Sequence, residues 1–598
     1  MINTWTMHSV MAAFAGLALA GGGSSSPGQE LKEEPAKAPV TVSPAPPLIP
    51  AQNGSTTYAK MPESKTHNLT KTVNRKRLIY NDDGWSSYMR YPAPMSPADV
   101  VAATVGPVLG TAVSHYQFCS LGGHAVNYNS AFLPRVGETM PAVDTLHVWR
   151  MRETLRNLDR LGTDPLRIVS DACRANGIAC QFSLRMNDRH HTYKHADGSW
   201  YFPELLSPWL DEHPELLLPD RALDYAKAGV ADYRKRQIQE ILDRYDVDGI
   251  DLDFTRFKPW FRRGEEKAGA PLMTALVRDL RAMTRSAGKS LSARFEYDPQ
   301  SCLASGLEVE AWLAEGLLDQ ITLGGVGDHT PDAPADWWIE RAHRSGCIVC
   351  PSMEGLLHWY SAAGGGGTGL RPGHGVEDGF GPPSMAYMRA VAANHYRGGA
   401  DGISLFNFTC ADGPFDRAAL TDLADPEVLA GKDKQYVATV WPWDAQIFHD
   451  GCKWQSRFAL APDAVEVSYP LRVADDIEGD RQRGRAPVAV LTLDLKGVNR
   501  LSDLEVSING APLAWTGYQY NHYDHGCWND IVRFTVPVAC LRNGENRIGL
   551  RRLAPTPGFA GAVEVRKCVL DLAYPSGFAP GRVENITALT GDKDESLR

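Results

Sequence analysis

Beyond residue 20 the 598-residue sequence holds no apolar run long enough to cross a bilayer, so no membrane span is expected. It has no basic stripe either. With 61 Lys and Arg against 71 Asp and Glu the net charge is −10. A chain without concentrated positive charge is poorly equipped to neutralise phosphates, which argues against nucleic acid as a partner. The glycine-rich stretch 364–375 is not closed by Lys-Ser or Lys-Thr, so it is no phosphate loop. No dinucleotide fingerprint follows the first strand candidate, where Asn81-Asp82-Asp83-Gly84 stands instead. No cofactor is expected.

The eleven cysteines are odd in number and scattered, unlike a small disulfide framework. Cys347 and Cys350 have the spacing of a metal or redox pair, but strand alternation sends their sulfurs to opposite sides, as in ordinary strand cysteines. Cys119, Cys180, Cys302 and Cys410 lie near strand ends, where one or two disulfides are compatible with an oxidising compartment.

The apolar run at 9–20 ends in Ala18-Leu19-Ala20, the small-residue pattern of a signal-peptidase site, although no Lys or Arg precedes it. Residues 1–20 therefore read as a signal peptide and the protein as secreted or periplasmic. No cysteine follows the run, so no lipid anchor is expected. Residues 21–75, rich in Gly, Ser, Pro, Lys and Thr without periodicity, read as a disordered linker.

From residue 77, strand candidates recur at 77–82, 111–118, 178–186, 248–254, 291–296, 319–324, 347–353 and 402–408. Helical spacing fills gaps at 144–158, 164–176, 226–244, 271–286, 306–317, 334–345 and 383–396. Eight strand candidates, with helical spacing in six of the seven gaps between them, predict an α/β fold, a (β/α)8 TIM barrel over 76–445. Beyond it the texture changes to short alternating strands with Asn-Gly turn signals at 509–510 and 543–544. This predicts an all-β sandwich over 446–575, followed by a C-terminal tail at 576–598. Trp515, Tyr518, Tyr520, Tyr523 and Trp528 are its candidate glycan-stacking residues, with bracing of the barrel as the competing role.

The informative segment is Val247-Asp248-Gly249-Ile250-Asp251-Leu252-Asp253-Phe254-Thr255-Arg256. Alternation puts Asp251 and Asp253 on one side and Ile250, Leu252 and Phe254 on the other. Two acids on one side of an apolar strand are costly unless that side faces a polar cavity. In such barrels the chemistry sits at the C-terminal strand ends, and polar residues accumulate there: Asp82, Asp83 and Trp85 on the first strand, His115 on the second, and Arg185, Asn187, Asp188 and His190 on the third. Arg256 follows on the fourth, Glu296 on the fifth, Asp328 and His329 on the sixth, Glu354 on the seventh and Asn407 on the eighth. Glycoside hydrolysis needs two carboxyl groups about one scissile bond. Asp253 is the first candidate, with Glu354 facing it across the barrel or Glu296 beside it as the second. Asp251 and Arg256 are supporting groups, and the remaining residues are substrate-binding candidates. The loop His190-His191 to His195 reads as a substrate lid, and no metal is assigned to it. Arg185, Arg189, Arg256 and Arg294 near the mouth suit an anionic glycan.

The segments 247–257, Ser183-Leu184-Arg185-Met186-Asn187-Asp188 and His213-Pro214-Glu215 resemble those of bacterial secreted glycoside-hydrolase-like TIM-barrel proteins, over roughly 75–445. The resemblance implies a carboxylate after the fourth strand, here Asp253 ahead of Asp251, and does not choose between Glu296 and Glu354 as the second acid. The motif Asp248-x-x-Asp251-x-Asp253 also resembles the acidic strand of chitinase-like barrels. Those carry a Glu two residues later, where this chain has Thr255, a departure from chitinase-type substrate-assisted chemistry. The expected function is hydrolysis of a poly- or oligosaccharide. The alternatives are a catalytically inactive carbohydrate-binding barrel and a metal-assisted barrel hydrolase or lyase.

Overall fold

The computed structural model describes residues 76–84, 91–143, 145–324, 335–354, 357–358, 380–381, 385–406, 408, 417–438, 458–498, 500–524, 527–553 and 561–575. The signal-peptide, linker and tail assignments, together with Trp85, Asp328, His329 and Asn407, lie outside them.

All eight barrel strands form: β1 (Arg77–Asp82), β2 (His115–Cys119), β3 (Ala179–Arg185), β4 (Gly249–Asp253), β5 (Ser290–Phe295), β6 (Gln320–Leu323), β7 (Ile348–Glu354) and β8 (Gly402–Phe406). They pair in parallel and close in the ring order β1-β8-β7-β6-β5-β4-β3-β2. The helices α1 (Leu146–Arg160), α2 (Pro165–Ala175), α3 (Ala228–Arg244), α4 (Glu266–Ser286), α5 (Val309–Ala314), α6 (Asp336–Arg344) and α7 (Met385–Arg397) occupy the expected gaps. Local chemistry sets their ends. In α2, the Asp164 side chain accepts from the Arg167 backbone N–H and Pro165 opens the first turn, while Gly177 at φ +69° follows its end.

The alternation of β4 repeats around the ring. Outward residues such as Tyr116, Phe182, Leu184, Ile250, Leu252 and Phe295 are buried in one apolar cluster with the helices. The inward side is polar. Asn81 donates to Gln117 at 3.0 Å, and Gln117 donates to Gln181 at 3.1 Å. Arg77 on β1 hydrogen-bonds Gln320 on β6, a strand not adjacent to it, so the two meet through the interior. A barrel interior is usually filled by branched apolar side chains. Here polar side chains do much of the filling, with Asn81 Oδ1, Gln320 Nε2, Thr322 Oγ1 and Ser352 Oγ buried without a partner among the described residues, so the acids at its upper end lie in a polar interior.

Strand β2 starts later than the expected 111. Thr111 is engaged in a turn, its hydroxyl donating to the Val108 carbonyl and accepting from the Val113 N–H. His115 consequently opens β2 and lies toward the N-terminal end of the barrel, not at the mouth where it was expected. Of the cysteines expected at the rim, Cys119, Cys180 and Cys302 are free thiols, as are Cys347 and Cys350, and Cys410 lies outside the described residues.

An antiparallel region follows, built from β9 (Lys434–Ala438), β10 (Phe458–Leu460), β11 (Glu466–Val473), β12 (Val488–Lys496), β13 (Leu504–Ile508), β14 (Ala511–Pro512), β15 (Trp515–Asp524), β16 (Cys527–Val536), β17 (Gly544–Arg552) and β18 (Val563–Ala573). One sheet has the order β9-β18-β12-β16-β15 with β10 also on β18, and the other has the order β11-β17-β13-β14. Residues of both sheets share one apolar cluster. Asn509 and Gly510, both at positive φ, make the tight turn between β13 and β14.

Strand β9 pairs with β18, so this region begins before the expected 446, directly after the last barrel elements. Ala390 of α7 belongs to the apolar cluster of the sheets, while Val437 and Val569 belong to that of the barrel. Lys434 and Asp475, both buried, pair at 2.7 Å beside this contact. The two regions therefore share apolar surface.

Candidate functional site

Register places three charged residues side by side at the C-terminal end of the barrel: Arg185 of β3 pairs with Asp253 of β4, which pairs with Arg294 of β5. One layer deeper, Ser183, Asp251 and Ser292 align in the same way. Asp251 is fully buried and accepts from both serine hydroxyls at 2.8 Å. Burial pushes its carboxyl up to about 6, against the two hydroxyl donors that lower it, with the neighbouring Asp253 charge adding to the rise.

Asp253 has two unlike oxygens. Oδ1 accepts from the Thr255 backbone N–H at 2.8 Å and from its hydroxyl at 2.6 Å. Oδ2 lies 3.9 Å from Arg256 Nε, beyond hydrogen-bond length. Thr255, where chitinase-like barrels carry a glutamate, thus tethers the last aspartate of the motif. Glu296, one residue past β5, pairs with Lys258 at 2.6 Å and accepts from Ser301 Oγ at 3.1 Å. Glu354 ends β7, its backbone in register with Phe406; its side chain lies outside the described residues. In the ring the strand opposite β4 is β8, so Glu354 stands three places round from Asp253 and not diametrically across.

A chain of alternating charge runs along one side of the mouth. Arg256 pairs with Asp83, Asp83 with Arg185 at 2.5 Å, Arg185 with Asp188 at 2.7 Å, and Asp188 with His190 Nδ1 at 2.8 Å. Burial alone would raise the Asp83 and Asp188 carboxyls. The Arg185 and Arg256 guanidinium groups instead hold Asp83 below the usual carboxylate range, while His190 and Arg185 do so, more strongly, for Asp188. Asp83 is aimed by Gly84, whose φ of +77° and approach to the Cys119 carbonyl leave no room for a Cβ.

The arginines expected to meet an anionic glycan have partners within the protein. Arg185 and Arg256 are tied to Asp83, and Arg189 pairs with Asp220 at 3.0 Å. Arg294 donates to the Gly324 carbonyl and stacks 3.8 Å over Phe406. Three of these cations are paired with the protein's own acids, and the fourth donates to a backbone carbonyl.

The other candidates divide between the mouth and the frame. Asp82 is fully buried, accepting from the Tyr116 hydroxyl and the Gly84 N–H. Asn187, also fully buried, joins the Pro259 carbonyl to the Leu223 N–H and so pins the loops after β3 and β4 together. His115 bonds Ser114 Oγ, and burial, helped by Arg77, depresses its imidazole to about 3. His191 of the expected lid is buried edge-on to His124, and beyond that loop Trp209 stacks on Tyr233 at 3.9 Å, so His191 is packed core. Lys258, Phe257 and Phe406 were missed. Lys258 had a signal, a lone cation two residues after Arg256, but Phe406 reads in sequence as one more apolar strand residue. Among the described residues no group of three or more His, Cys, Asp or Glu has the arrangement of a metal site.

The raised Asp251 carboxyl has a measurable consequence. A folded-state value of about 6 lies above the ordinary value of about 4, so the group favours folding below pH 4 and loses that contribution as pH rises through 6. Asp251→Asn removes the titration. The stability of the variant relative to wild type, from urea unfolding, should rise by about 3 kcal/mol between pH 4 and pH 8. A difference that does not change with pH would show that Asp251 is not the group so perturbed.

No family model matches the chain, and no curated protein matches it. Solved structures similar to it include a class V chitinase from Pseudomonas fluorescens, 13% identical over 58% of this chain and 98% of that one, with a TM-score of 0.32. An alpha-L-fucosidase isoenzyme 2 from Paenibacillus thiaminolyticus is 14% identical over 59% and 48%, with a TM-score of 0.33. The PgaB (BpsB) glycoside hydrolase domain from Bordetella bronchiseptica is 12% identical over 58% and 99%, with a TM-score of 0.32. The barrel assignment rests on the closed parallel ladder itself.

Proposed function

We propose that this protein is a glycoside hydrolase acting on a neutral poly- or oligosaccharide, with Asp253 as one of its two catalytic carboxyl groups. The observation that carries this reading is the asymmetry of Asp253 at the mouth of a closed barrel. One oxygen is fixed by two Thr255 donors and the other carries no hydrogen bond among the described residues, the arrangement a carboxyl needs to meet a scissile bond in a set geometry. Neutrality of the substrate is inferred from the mouth arginines, each already engaged by the protein. The second carboxyl is assigned to Glu296, one residue past the strand beside β4, with Glu354 as the alternative. The β region is proposed to be a two-layer sandwich that braces the barrel, and export to the periplasm or medium is proposed from the 9–20 run.

The test is release of reducing ends from a panel of neutral and charged polysaccharides, with and without a chelator. Turnover of a neutral member that survives chelation supports the reading. Loss on chelation with rescue by one cation would replace it with a metal-assisted reaction. Binding without turnover would replace it with the silent carbohydrate-binding barrel, a reading favoured by the engagement of Glu296 with Lys258. Glu296→Gln and Glu354→Gln then assign the second carboxyl. The correct one should lower kcat by about 100-fold or more, and the other by less than about tenfold.

A further inference from the structure

The end of the charge chain at the mouth is built unlike a structural ion pair. Asp188 is 1% exposed and uses both oxygens: Oδ2 accepts from Arg185, while Oδ1 accepts from the His190 backbone N–H at 2.9 Å and faces its ring Nδ1 at 2.8 Å. Arg185 and His190 hold the Asp188 carboxyl well below its usual range, so it is a permanent acceptor. In the neutral ring, an acceptor at Nδ1 assigns the ring proton to Nδ1 and leaves the lone pair on Nε2. Nε2 carries no hydrogen bond to the described protein and is not a buried orphan. The side chain is 21% exposed. Its ring is wedged edge-on against Phe257 at 5.1 Å, Phe202 at 5.6 Å and Tyr193 at 6.1 Å, all of them half-buried. Orientation, tautomer and rotation of the ring are thus all constrained, and the one unconstrained feature is an acceptor nitrogen beside the loop after β4.

From this geometry we infer that His190 Nε2 is a substrate contact, accepting a hydrogen bond from a sugar hydroxyl, with Phe257 and Tyr193 as the apolar wall against which the ring of that sugar lies. The inference rests on the saccharide-binding reading of the mouth and adds a position to it. Asp188 acts through His190 as a positioning residue, and Arg185 keeps Asp188 charged. An aromatic wall with one fixed acceptor selects hydroxylated, uncharged rings, because stacking and a neutral hydrogen bond are the interactions available there.

The test uses full-length Asp253→Asn protein, to suppress turnover, titrated calorimetrically with four neutral hexasaccharides: cello-, malto-, xylo- and chitohexaose. In that background His190→Asn keeps an amide N–H for Asp188 and removes the outer nitrogen. His190→Gln places an amide near the position of Nε2. At least one hexasaccharide should bind, with affinity about tenfold weaker in the His190→Asn protein and within about threefold of the parent in the His190→Gln protein. A merely structural role would instead move both variants together and lower both melting temperatures. Unchanged affinity in the His190→Asn protein, equal loss in both variants, or no binding of any of the four overturns the contact. Hydrolysis of the same sugars by wild type is scored separately. If a bound hexasaccharide is left intact, the hydrolase reading falls while the His190 contact stands.

Discussion

Asp253→Asn should reduce kcat on the identified saccharide by about 1,000-fold or more, with KM changed by less than about threefold. The substitution is isosteric. The Asn carbonyl oxygen can still accept from Thr255, so the loop after β4 keeps its tether. What is lost is an ionisable oxygen at the position that carries no hydrogen bond among the described residues. If Asp253 were only a structural partner of Arg256, the 3.9 Å separation would make its removal a small effect. The kinetic loss and the stability change therefore separate the two roles. Initial rates should be measured alongside urea unfolding, and a variant within about 1 kcal/mol of wild-type stability but inactive marks a catalytic group. Retention of more than a tenth of wild-type kcat would remove Asp253 from the chemistry.

Arg185→Met should produce the largest loss of stability, about 3–5 kcal/mol at pH 7. Arg185 is 2% exposed and lies between Asp83 and Asp188, which keep their charge in the folded protein because of it. Methionine matches much of the volume and removes the cation, so the cost is that of carboxylates buried without their shared partner. The sign of the pH dependence is fixed by the direction of the shifts. Asp83 and Asp188 are held below their ordinary range, so their contribution to wild-type stability is present above about pH 4 and is lost as pH falls through their folded values. The deficit of the variant should therefore shrink on acidification, the reverse of the Asp251→Asn trend. Unfolding midpoints at pH 7.5 and pH 4 measure both. A deficit independent of pH would point to lost packing and not to lost charge pairing.

The two substitutions show where sequence reasoning reached and where it stopped. Asp251 and Asp253 were assigned to one side of β4 from alternation alone, and the assignment transfers to the barrel because a two-residue period is a property of the strand itself. The residue types at the strand ends were legible for the same reason. Their partners were not. Arg185 reads in sequence as a cation near an active site, fit to meet an anionic substrate. In the structure it meets Asp83, a residue 102 positions away that follows a different strand. His115 was placed at the mouth because the first residue of a strand looks the same as one in its middle until the turn before it is seen.

By itself the sequence determined the eight strands, the helices between them, the antiparallel texture that follows and the acidic side of β4, because periodicity, caps and turn chemistry act over a few neighbouring residues. Only the tertiary structure decided which strand follows which around the ring, which acids are neutralised by which arginines, and that Asp253 and His190 each present one atom without a hydrogen bond among the described residues. Those outcomes depend on closure of the barrel, which brings side chains from distant segments within hydrogen-bond reach and withdraws them from water together.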